Sequence, residues 1–83
     1  MPLYFFDVTD TGQTSRDDEG AEFATVEQAR REALRALGGI ARDELAKGGD
    51  REFIIRIREA ANGPPILSAS LSLHIQKHDP ASN

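Results

Sequence analysis

The sequence predicts an α+β fold, a β-β-α-β-β two-layer sandwich with one long helix packed on a four-stranded antiparallel sheet. Three observations predict it. Thr25 to Gly48 has helical periodicity and stop signals at both ends. Behind it, Glu52 to Arg58 and Ile66 to Gln76 alternate apolar and polar residues on either side of a Gly-Pro reversal. Ahead of it, Leu3 to Thr9 is an aromatic and β-branched run suited to a pleated strand. A helix with one apolar stripe and strands with one apolar row leave two surfaces that can cover each other.

The first strand takes its parity from Asp7. Tyr4, Phe6 and Val8 then face the core, and Leu3, Phe5 and Asp7 face the other side. Asp10-Thr11-Gly12 is turn chemistry, and Gln13 to Arg16 leaves room for a short returning strand at an edge. Asp17-Asp18-Glu19-Gly20 reads as a second, solvated turn, with Phe23 as a core anchor before the helix.

On a helical wheel, Ala29, Ala33, Leu34, Leu37, Ile40 and Ala41 gather on one side, and Arg31, Glu32, Arg35, Arg42 and Asp43 on the other. Thr25 and Gln28 have capping-box spacing, and Gly48 after Lys47 suits a left-handed stop. Glu27 with Arg31 and Asp43 with Lys47 are acid-first pairs at i,i+4. Gly38-Gly39 interrupts this consistency, each glycine costing about 1 kcal/mol against alanine. The pair is either a weak point, with a mild kink, or a bare patch of backbone for a partner.

After Gly48-Gly49-Asp50, Phe53, Ile55 and Ile57 share one face of the third strand, opposite Ile54, Arg56 and Arg58. Asn62-Gly63-Pro64-Pro65 turns the chain. In the last strand Leu67, Ala69, Leu71, Leu73 and Ile75 form the buried row, and Ser68, Ser70, Ser72, His74 and Gln76 the exposed one. Numbering the four strands in chain order, 2-1-3-4 keeps every neighbouring pair antiparallel. The expected organisation is a single domain over residues 1–76 and a flexible tail over 77–83.

Taken together, these residues resemble a family of short bacterial proteins known as a domain of unknown function, number 6894. The likeness runs through Tyr4-Phe5-Phe6-Asp7-Val8, Asp17-Asp18-Glu19-Gly20-Ala21-Glu22 and Glu27 to Leu34, then through Phe53 to Arg58 and Leu71-Ser72-Leu73. It implies a small stand-alone domain with no catalytic residues to carry over. Gly38-Gly39 departs from the helix formers expected there. A looser likeness to HicB-like antitoxins implies a regulatory alternative.

The chemistry-bearing patterns are thin. Asp10-Thr11-Gly12 matches the aspartic-protease triplet, but an exposed hairpin turn with no flap explains it better. Asp17, Asp18, Glu19 and Glu22 lack the alternating oxygens and closing glutamate of a calcium loop. On a strand His74 and His78 stand about 13 Å apart, too far for one metal ion. No serine is spaced for a nucleophilic triad. The expectation is a non-enzymatic chain with no metal and no cofactor.

A net charge of −4 gives no general attraction to nucleic acid or anionic lipid. The absence of cysteine excludes disulfides and thiolate zinc and suits a cytoplasmic setting. Met1 to Asp7 lacks the basic start and length of a signal peptide or membrane span. With so few residues the core is small, and pairing would add buried area. A self-associating interaction or regulatory domain is therefore expected, a homodimer in first place, possessing no catalytic site. Leu3, Phe5 and Ile54 on the open sheet face, or Ser70 and Ser72 on the last strand, would form its contact surface. The alternative is a nucleic-acid regulator using the helix face Arg31, Arg35, Gly38, Gly39 and Arg42.

Overall fold

The computed structural model describes residues 1–80, so the last three residues of the expected tail lie outside the described part. The elements are β1 (Leu3–Asp10), β2 (Gln13–Ser15), β3 (Ala21–Glu22), α1 (Val26–Glu44), β4 (Arg51–Arg58) and β5 (Pro65–Leu73). A 3-10 turn, Leu45–Lys47, extends α1. All the paired strands are antiparallel, in the order β2-β1-β4-β5, which is the expected order. The short β3 was not expected; it pairs Glu22 with Leu3 and Ala21 with Tyr4.

β1 and β2 form a two-residue hairpin. Thr11 and Gly12 both have positive φ, 46° and 89°, the combination whose twist matches that of the flanking strands. Thr11 is the only described non-glycine residue with positive φ. Its backbone N–H donates to the Glu52 carbonyl at 2.7 Å, which anchors the hairpin tip to β4.

The core is centred on β4. Phe53, Ile55 and Ile57 are fully enclosed between β1, β5 and the helix. Ala29, Ala33, Leu37 and Ala41 recur every fourth residue and make the buried stripe of α1, which packs on β4 and β5. Ile40 is half-buried, whereas Leu34 is 45% exposed, a correction to its expected core position. Because α1 lies over β4 and β5, Phe23 packs on the helix-side face of β1, with its ring 6.3 Å from Tyr4 and 5.8 Å from Phe6.

The helix ends follow their signals with two changes. Thr25 Oγ1 accepts from Gln28 N–H at 3.2 Å, but the Gln28 side chain accepts from Ala24 N–H, one residue before the capping-box position. The ion pairs run i,i+3, Glu32 with Arg35 and Glu44 with Lys47, in place of the expected i,i+4 pairs. Gly48 at φ 79° closes the turn. The helix runs unbroken through Gly38 and Gly39, and among the described residues nothing beyond the helix's own adjacent backbone lies within 4 Å of where their Cβ atoms would be.

Candidate functional site

The sheet face opposite the helix was expected to lie open, with Leu3, Phe5 and Ile54 exposed together. The alternation is as expected, yet Phe5 is only 6% exposed and Asp7 is buried beside it. The cause is a buried charge cluster that holds two loops over this end of the sheet. Phe5 stands opposite Arg58 in the β1–β4 register, and the Arg58 guanidinium lies 5.0 Å from the Phe5 ring centre. Arg58, 2% exposed, donates from Nε to Asp7 Oδ2 at 2.7 Å and from Nη2 to Asp7 Oδ1 at 3.0 Å. Nη2 also donates to the Asp17 carbonyl at 2.6 Å, and Nη1 to the carbonyls of Ala60 and Ala61. These bonds match the five donors of a guanidinium, so no donor remains for a ligand.

Asp17 holds the other side of the cover. Between β2 and β3 the chain leaves the β1 ladder, and Asp17 Oδ2 accepts the Phe6 N–H at 3.0 Å. Its Oδ1 accepts from the Glu19 and Gly20 amides, and its own N–H donates to Asp7 Oδ1 at 2.9 Å. Gly20 has φ 76° and packs on Phe5, with no room for a side chain between them. Asp18, Glu19 and Glu22 are exposed, as a solvated turn implies, but Asp17 is half-buried and ties the loop to β1, which corrects the reading at that residue. The Arg58 hydrogen bond holds the Asp7 carboxyl below the ordinary aspartate range, against the opposing pull of burial. For Asp17 burial pushes upward, but the three backbone amides together bring its carboxyl below the usual range.

The expected apolar patch is thereby divided. Leu3 lies at the exposed start of β1, Phe5 is covered, and half-buried Ile54 stands opposite Thr9. The Asp7–Arg56 pair of positions separates the last two, and Arg56 Nη1 donates to Thr9 Oγ1 at 3.2 Å.

β5 is different. It terminates the sheet, and its second side is unpaired among the described residues. Ser70 and Ser72 stand in its exposed row, as expected. Its other row is less buried than expected, with Leu67, Ala69 and Leu73 half-buried and Leu71 37% exposed. Ladder pairing stops at Leu73, opposite Arg51, where β4 begins. Beyond it the Asp50 carboxylate accepts the Ile75 N–H at 3.0 Å and lies 2.8 Å from His74 Nδ1. Ile75, expected in the buried row, is 54% exposed.

The remaining candidates fall apart from one another. Asp10 accepts two hydrogen bonds from Arg51, at 2.9 and 2.8 Å, which hold its carboxyl below the ordinary range. Arg51 thereby occupies both of the oxygens that a protease pair would use to share a proton. Arg51 also stacks 5.1 Å from the Phe53 ring centre and approaches Glu44. Arg31, Arg35 and Arg42 are exposed on α1, as expected. Arg58, expected to add charge to the open face, is enclosed. Among the described residues no three metal-ligating side chains gather, and no helix is long and apolar enough to cross a membrane.

A family model described as a domain of unknown function matches residues 3–72, from the first residue of β1 almost to the end of β5. No curated protein and no solved structure matches the chain.

Proposed function

The chain belongs to that family, DUF6894, and from this premise we propose a non-enzymatic interaction domain that associates with itself through the free edge of β5. The observation that carries the reading is the chemistry of that edge. Folded proteins shield long edge strands with charge, proline, bulges or brevity. β5 is nine residues long, its proline lies at its first position, and it contains no charged residue. Its one irregularity is at the Ile57–Arg58 end of its pairing with β4. The exposed apolar side chains of Leu71 and Ile75 continue along the same row. Such an edge is a template for another strand. A chain without cysteine loses nothing in a reducing compartment, so a cytoplasmic setting forms part of the reading.

The test is mass in solution. Light scattering at tens of micromolar should give two chains for the natural sequence and one for Leu71→Lys, with unchanged circular dichroism. A one-chain mass for the natural sequence would overturn the reading.

The nucleic-acid alternative has less support. It retains Arg31, Arg35 and Arg42, but Glu32 pairs with Arg35 and the net charge is negative. No shift in a DNA or RNA gel assay at low salt is the expected outcome.

A further inference from the structure

Resting on self-association through β5, we infer that the occupant is a second copy whose β5 runs antiparallel to the first about a two-fold axis at Leu71. The pattern on both sides of Leu71 is what assigns it. On the helix-side row Leu67 and Ala69 precede Leu71, and Leu73 and Ile75 follow it; on the other row Ser68 and Ser70 are answered by Ser72 and His74. Antiparallel pairing centred on Leu71 therefore sets Leu71 against its own copy, Leu73 against Ala69 and Ile75 against Leu67. On the reverse side Ser72 meets Ser70 and His74 meets Ser68. Every helix-side contact is apolar, and every contact between the four reverse-side positions nearest the centre is polar, with no Asp, Glu, Lys or Arg among them.

Charge points to the same occupant. In a chain with 29% charged residues, none of Asp, Glu, Lys or Arg occurs from Ala60 to Gln76. Two copies each carrying −4 repel at long range, and an uncharged strip is where they can meet with no like charges opposed. A strand from a partner of opposite charge would instead be matched by charges along this edge.

Exposure selects the register. β5 ends at Leu73, but pairing centred on Leu71 runs over 66–76 and covers both exposed apolar side chains of the helix-side row, Leu71 and Ile75. Centring on Ala69 would leave Ile75 unpaired, and centring on Leu73 would leave Ile66 to Ala69 unpaired. Because like rows meet, both helices lie on one face of a continuous sheet.

With no native cysteine, single-cysteine variants read the register directly. Directly opposed side chains stand about 5 Å apart at Cβ, close to disulfide geometry. Two Ala69→Cys side chains would be about 13 Å apart in this register, beyond disulfide reach. Leu71→Cys should form a covalent dimer under mild oxidation. Ala69→Cys should do so only when mixed with Leu73→Cys, and Ile54→Cys not at all. A two-chain mass with cross-linking strongest at Ile54 or Ala69 overturns this register and leaves self-association standing. A one-chain mass for the natural sequence removes both.

Discussion

Asp7 and Arg58 form a bidentate ion pair between β1 and β4, with Nε–Oδ2 2.7 Å and Nη2–Oδ1 3.0 Å and side chains only 10% and 2% exposed. Breaking such a pair by removing one partner leaves an unpaired buried charge, at a cost of about 3–5 kcal/mol. Asp7→Ala and Arg58→Ala should each destabilise on this scale in urea melts. The double variant should lose much less than the sum of the two. Additive losses would mean that the charges do not depend on each other.

The same carboxylates set the acid limit. Asp7 and Asp17 have folded-state pKa values below the ordinary 3.8, so each contributes stability that is fully present above that value. It is lost as pH falls through the depressed folded values. Stability should be flat from neutrality to about pH 5 and fall below about pH 4. Asp17→Asn should reduce the acid-dependent part of that fall, measured by urea midpoints across the series.

Two glycines should respond oppositely to alanine. At Gly39 the helix has open space, and Gly39→Ala should raise stability by about 0.5–1 kcal/mol without changing the solution mass. At Gly20, φ is 76° and a Cβ would lie 3.0 Å from the Phe5 ring, so Gly20→Ala should cost at least about 1–2 kcal/mol. Loss of association in Gly39→Ala would instead identify the glycine pair as a contact surface.

The two helix leucines should also separate. Leu37 is buried at the centre of the helix stripe, and Leu37→Ala should cost about 2–4 kcal/mol. Leu34 and Arg35 are exposed, and alanine at either should change stability by no more than about 0.5 kcal/mol. Thermal melts of the three variants decide whether the helix is oriented as described.

Periodicity by itself determined the helix, the three long strands and which residues of β1 and β4 face the helix, because a side chain's direction within an element depends only on its own position; β2 followed from the turn chemistry before it. The order 2-1-3-4 was one arrangement that keeps every neighbouring pair antiparallel, and the ladder between β1 and β4 is what selects it. What only the tertiary structure decided is the fate of the second sheet face. Asp7, Asp17 and Arg58 look like ordinary surface charges, and nothing local says that they will meet across separations of 10 to 51 residues. Once they do, two loops close over Phe5, and the apolar patch that alternation placed on an open face is divided. Burial at the edge was likewise decided by position in the sheet. Leu71 occupies the helix-side row as Ile55 does, but among the described residues β5 has a neighbour on only one side, so identical periodicity leaves one side chain in the core and the other facing water.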